Sequence, residues 1–269
     1  MEYGINLGFI LREIEIERAA ELIAGAGFKY LDYTPSLLEV GWEKRAEDTL
    51  KIIKSYGLRV YQTHVPFHRH NKMKDIHREL IKRCGDVTEI FGASFMVAHG
   101  DEFDFDSMTY STDRALEFNH NHFLPAVERA ERNGYRVAFE TVFEDVTERT
   151  RFTSRADELK SLILSYNSES AVCCWDFGHA HVSFKHDASR IIRDFGSLIK
   201  CTHLHDNTGM DSHQIPLTGD IRWSDVKDAF SDINYNGVMS IEYSHGRIPE
   251  NLAEDFLKLS YSSAKHIFG

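Results

Sequence analysis

Short β-rich runs alternate with longer stretches of 3.6-residue periodicity along the whole chain, and this rhythm restricts the fold more than any other feature of the sequence. The runs are Tyr3–Gly8, Tyr30–Tyr33, Arg59–His64, Phe95–His99, Arg136–Thr141, Ala171–Asp176, Ile199–His205 and Val238–Tyr243. Between them the periodicity predicts helices over Ile16–Ala26, Lys44–Tyr56, Ile76–Phe91, Thr112–Asn133, Ser154–Ser165, Ala188–Phe195, Trp223–Ile233 and Pro249–Ile267. Several of these end in a Gly or Asn that feeds the next run, as at Gly27, Gly57, Gly92 and Asn133–Gly134, which is helix C-capping chemistry.

Eight β-α units predict an α/β fold, a (β/α)8 TIM barrel forming a single domain over residues 1–269. An open doubly wound sheet is the rival, but it usually carries a Gly-rich phosphate turn after its first strand, and Asn6–Leu7–Gly8–Phe9 offers none. The chain is 42% apolar and no Pro-, Gly- or Ser-rich linker divides it. A chain of this size buries roughly three quarters of its unfolded surface, which is core enough without staples.

In such a barrel the catalytic groups come from the carboxyl ends of different strands, so what terminates each apolar run is the informative question. The third run ends at His64, the fourth at His99, the fifth at Glu140 and the sixth at Asp176, with His179 three residues on in WDFGHAH. The seventh ends at His203 and His205 in CTHLHDN, and the eighth at Glu242 in SIEYSH. Taken singly, a strand-end carboxylate or imidazole often caps a helix or meets a neighbouring charge. Six consecutive strand ends of this kind converge on one small volume, where clustered carboxylates without a cation would repel and their pKa values would rise. A set of oxygen and imidazole donors without thiolate suits Mn, Mg, Co or Zn. The polar segment after the seventh run adds Asp211 and His213 as a D-x-H pair, which is read either as further ligands or as a solvated loop.

Phe67, Trp175 and Trp223 near the strand ends are candidates for an apolar wall against a bound ligand, although packing between helix and strand is the preferred reading for Trp175. Cys84, Cys173, Cys174 and Cys201 lack CxxC spacing and are expected to be buried, reduced thiols. The net charge of -11 disfavours nucleic acid and anionic membranes as partners. No stretch approaches the ~20 apolar residues that span a bilayer, and no basic, then apolar, leader opens the sequence. A cytoplasmic location is the resulting expectation. Soluble enzymes are commonly homo-oligomers, so a dimer or tetramer is compatible with the chain.

These residues resemble the xylose isomerase-like superfamily, which includes sugar and sugar-phosphate isomerases and epimerases and the endonuclease IV family. The resemblance spans nearly the whole chain and rests on FE at Glu140, DFGHAH from Asp176 to His181, the segment from His203 to Ile221, and IE at Glu242. It implies one divalent ion held by Glu140, Asp176, His203 and Glu242, with His205 as a second-choice ligand or a substrate contact. It also implies an isomerase or epimerase acting on a sugar or sugar phosphate: the ion polarises a carbonyl and adjacent hydroxyl, and Glu140 and Glu242 exchange a proton through an enediolate. His179 and His205 would orient oxygens, and Arg222 could meet a phosphate or hydroxyl. The endonuclease branch implies a larger, trinuclear zinc set, here matched by His64, His99, Glu140, Asp176, His179, His203, Asp211, His213 and Glu242, and with it a phosphodiesterase or other metallohydrolase as the alternative. TVFEDV after Glu140 and VPFHRH after His64 depart from that branch, which has a small Gly-containing turn at the first position and duplex-wedging residues at the second.

Overall fold

The computed structural model describes residues 1–66, 74–100, 110–144, 151–243 and 248–269, with Lys74 and Asp75 described by backbone alone. Eight parallel strands run in the order β7-β6-β5-β4-β3-β2-β1-β8. They are β1 (Glu2–Asn6), β2 (Tyr30–Tyr33), β3 (Arg59–His64), β4 (Phe95–His99), β5 (Arg136–Glu140), β6 (Ala171–Asp176), β7 (Ile199–His203) and β8 (Val238–Ile241). The remaining gap between β7 and β8 is bridged at Leu204 and Ile241, where Leu204 N donates to Ser240 O and Glu242 N to Leu204 O. The sheet is therefore a nearly closed barrel, not an open doubly wound sheet.

The helices are α1 (Ile16–Ala26), α2 (Trp42–Ser55), α3 (Lys74–Phe91), α4 (Thr112–Asn133), α5 (Ala156–Ser165), α6 (Phe177–Phe184), α7 (Ala188–Phe195), α8 (Trp223–Asp232) and α9 (Glu250–Phe268). The periodicity places eight of these within two residues at either end. It does not show α6, because FGHAHVSF mixes polar and apolar residues without a clear helical stripe. The strands expected to run to His205 and Tyr243 stop at His203 and Ile241, with only the isolated bridge at Leu204 and Ile241 continuing the pairing.

Alternation along each strand divides the side chains between two cores. One face packs outward on the helices, as Trp175 does against Phe184 and Phe195, which settles its packing role. The other face fills the barrel: Phe95, Val97, Ala138, Val172, Cys174 and Cys201 form a separate apolar cluster. Two residues further along the same strands, on the same face, come Asp176 after Cys174 and His203 after Cys201. The apolar floor thus carries the polar layer directly above it. All four cysteines are free and buried.

Candidate metal centre

Glu140, Asp176, His203 and Glu242, from the ends of β5, β6, β7 and β8, bring one ligand atom each within 4.8 Å of one another. Glu140, Asp176 and His203 are fully buried, and Glu242 stands at the rim. His203 Nδ1 lies 3.1 Å from Glu140, 3.7 Å from Glu242 and 3.9 Å from Asp176. On one flank, His64 Nε2 and His99 Nε2 each approach Glu140 Oε2 at 3.0 Å. On the other, His179, His205, Asp211 and His213 form a second convergent group of the same compactness.

The second group is assembled by backbone devices. α6 begins at Asp176, whose carboxylate accepts from His179 N at 2.6 Å, an N-cap that swings His179 back over the barrel mouth. Gly178 makes room for β7's neighbour: a Cβ there would collide with the His205 ring. The His205 and His213 rings stack with centroids 3.8 Å apart. Asp211 and His213 lie on the segment after β7, which folds back through the paired hydrogen bonds between Asp206 and Gln214. His213 adopts φ 44°, a left-handed conformation costing a non-Gly residue roughly 1–3 kcal/mol.

Sequence reasoning missed the residue that secures this segment. Asp206 is fully buried, and its carboxylate accepts from Asn207 N, Leu217 N, Ile221 N and Trp223 Nε1. Gly219 is needed there because a Cβ would collide with Asp206 and the Asn207 backbone. Trp223 accordingly serves the loop as a hydrogen-bond donor rather than as a wall facing the site. The HDN motif carried the signal, but a polar triplet at a strand end reads equally as ligand or as turn. Asp32 at the end of β2 was missed as well, although an Asp within the YLDY strand was visible.

Arg222 does not join the cluster. It is exposed, pairs with Asp225 at 3.3 Å, and lines a separate small cavity with Trp175, Phe177 and His181. Phe67 lies outside the described residues.

The proton inventory of the histidines bears on whether a cation belongs here. His64, His179 and His213 each hold Nδ1 within 2.8 to 3.1 Å of a main-chain carbonyl, those of Val65, Thr141 and Glu242. A carbonyl only accepts, so in each ring Nδ1 carries the hydrogen. Their Nε2 atoms face carboxylates: Glu140 at 3.0 Å, Asp211 at 3.6 Å and Asp211 at 3.2 Å. His203 is the mirror case, donating Nε2–H to Asp32 Oδ2 at 2.8 Å and turning Nδ1 to Glu140. A neutral ring in any of these positions would set its lone pair against a carboxylate. Either a second proton or a cation must stand between them.

Without a cation the protons are retained. Burial lowers the His203 and His179 pKa values, but the charges of Glu242 and Glu140 around the first, and of Asp176 and Asp211 around the second, outweigh it and hold both well above the usual range. The same balance raises His64, through Glu140, and takes His213, through Asp211, up to about 9. Burial would raise the carboxyls of Glu140 and Asp176, yet the surrounding imidazoles hold both below the ordinary carboxylate range. Glu140 Oε1, His203 Nδ1 and His205 Nδ1 are buried without a hydrogen bond. Orphaned donor atoms of carboxylate and imidazole type, aimed at common points, fit a divalent cation.

A barrel with acidic and imidazole side chains at its strand ends defines a class, and comparison with known proteins gives that class its family. The chain belongs to the xylose isomerase-like TIM barrel family, whose model matches residues 20–261. A comparison with curated proteins finds no match. Among solved structures, a D-psicose 3-epimerase crystallised in the presence of D-fructose superposes with a TM-score of 0.82 at 13% identity, with 100% of both chains covered. The D-psicose 3-epimerase of Clostridium cellulolyticum H10 with D-tagatose gives 0.80 at 14%, covering 100% of this chain and 99% of the other. The 3-keto-D-glucoside 4-epimerase of E. coli gives 0.78 at 16%, covering 97% and 99%. At these identities the likeness is one of fold.

Proposed function

We propose that the protein is a divalent-metal-dependent isomerase or epimerase of a sugar or sugar phosphate. The observation that carries this reading is the convergence of two carboxylates, Glu140 from β5 and Glu242 from the end of β8, with Asp176 and His203 from the strands between them in sequence. The similar folds of the sugar epimerases above support it.

Glu140, Asp176, His203 and Glu242 would hold the ion, whether Mn, Mg, Co or Zn. Bound there, it supplies Lewis acidity toward a sugar carbonyl and its neighbouring hydroxyl. The two glutamates carry the proton chemistry: one carboxylate removes the proton from the carbon beside the carbonyl, and the other returns a proton to the same or the opposite face. Return to the same carbon's opposite face inverts its configuration; return to the neighbouring carbon isomerises the sugar. Asp176 and His203 are ligands in this scheme and take no proton. His179 and His205, both buried at the mouth, orient substrate oxygens or the metal-held carboxylates.

A second reading, a multinuclear metallohydrolase acting on a phosphodiester, is favoured by one specific observation: His64 and His99 beside Glu140, and His179, Asp211 and His213 opposite, complete two further donor groups around the central one. Metal content per chain, followed by chelation and assay on ketoses, their phosphates and a chromogenic phosphodiester, tests both. One ion with chelator-sensitive ketose conversion supports the first reading. Two or three zinc ions with diester cleavage and no sugar turnover overturns it in favour of the second.

A further inference from the structure

We infer that Asp32 is a positioning residue that dictates which nitrogen of His203 faces the metal-ligand layer. The inference rests on the reading of His203 as a ligand. Three histidines of the cluster, His64, His179 and His213, are oriented by neutral main-chain carbonyls through Nδ1, as described above, and present Nε2. His203 is oriented through Nε2 by Asp32, at 2.8 Å, a carboxylate outside the proposed ligand layer, and so presents Nδ1; the carboxylate that meets His205 Nε2, at 3.0 Å, is that of Asp176, itself within the layer.

Asp32 is placed for that contact and for little else. It is 1% exposed, and among the described residues its only ion-pair partner is His203, with no Lys or Arg reaching it. A buried carboxylate is costly unless it is paired and hydrogen-bonded, and here the pairing comes from His203. The register of β2 against β3 shifts between Leu31 and Asp32, an irregularity that sets Asp32 opposite Gln62. Gln62 Nε2 then donates to the same Oδ2 at 2.8 Å and to Thr202 O at 3.3 Å, tying the carboxylate to the residue before His203. Because an ionised carboxylate has no hydrogen to give, the shared hydrogen must sit on His203 Nε2. The Nδ1 lone pair is thereby fixed toward Glu140, Asp176 and Glu242, and the negative charge behind the ring makes it a stronger donor. A carbonyl in the same place would fix the ring equally well but would lend it less basicity.

The test uses the full chain and Co2+ as the probe, with affinity measured by chelator competition and the site followed by its visible absorption. Asp32→Asn keeps the shape and removes the charge, and is expected to weaken Co2+ about 10- to 100-fold, the usual effect of losing such a partner. His203→Ala is run beside it. If His203→Ala abolishes tight binding while Asp32→Asn binds within about twofold of the parent, the role of Asp32 is overturned and the ligand reading stands. If His203→Ala binds Co2+ as the parent does, the ligand reading itself fails. Long-range proton–nitrogen spectra of the unaltered chain loaded with Zn2+ give an answer that needs no variant: the hydrogen on His203 Nε2 is expected, and a hydrogen on Nδ1 overturns the inference.

Discussion

The two halves of the polar cluster are built on different principles. Glu140, Asp176 and His203 are the last residues of three adjacent strands, so the hydrogen-bond ladder of the barrel sets their positions and leaves them no exposure. His179, Asp211 and His213 sit on a short helix and an irregular segment, held by the Asp176 N-cap, by the Asp206 carboxylate and by a left-handed residue. A strand end is as rigid as the sheet, whereas a loop is as rigid as its few polar ties. The inner set should therefore survive damage that disperses the outer one.

The largest effect expected is from Glu140→Gln, which on the proposed function removes a central ligand and one of the two proton-transfer groups together. Turnover of the responsive ketose should fall about 10²- to 10⁴-fold, with metal lost from the inner set on dialysis. Retention of full activity would show that the inner set is not the reacting centre. Asp206→Ala comes next, because it strands three buried N–H donors and a fourth that is part-buried. A cost of about 3 kcal/mol corresponds to a fall in Tm of roughly 6–12 °C for a chain of this size, read by differential scanning calorimetry. The contrast is sharpened if the variant still binds one ion at the inner set, and broken if both sets are lost together.

A pH dependence separates the halves further. Burial lowers the His213 pKa, but Asp211 and Glu242 outweigh it and bring it to about 9, against 6.5 when unfolded. The raised folded value means that the protonated pair with Asp211 stabilises the metal-free fold fully below about pH 6.5, and that this contribution is lost as pH rises through about 9. A cation must displace that proton, so apparent affinity at the outer group should rise by up to about tenfold per pH unit across this window. Calorimetric titration in buffers of different ionisation enthalpy would count the protons released, and a count of zero would exclude His213 as a ligand. Arg222→Ala marks the other end of the scale. As an exposed partner of Asp225 it should change stability by less than about 0.5 kcal/mol and leave metal content untouched, both measurable on the same preparation.

How much of the site could be read without coordinates depended on whether a residue's role was local. Glu140 and Asp176 were legible because each ends an apolar run whose alternation says which face it takes. His179 followed from its spacing to Asp176. Asp32 was not legible, since an acid in the middle of YLDY gains its meaning only from His203, 171 residues away. Asp206 was overlooked within HLHDN because its four donors come from as far as Trp223. Arg222 was left open in the sequence, because it is near the site's loop there; the start of α8 turns it outward onto Asp225.

The sequence by itself determined the strand count, the parallel barrel and which acidic and imidazole residues stand at six strand ends, because hydrophobic periodicity and strand alternation are properties of neighbouring residues. Only the tertiary structure decided which donors meet, since closure across β7 and β8 brings together groups that no spacing relates. It alone decided which nitrogen each histidine turns inward, because that depends on whether a carbonyl or a carboxylate waits behind the ring.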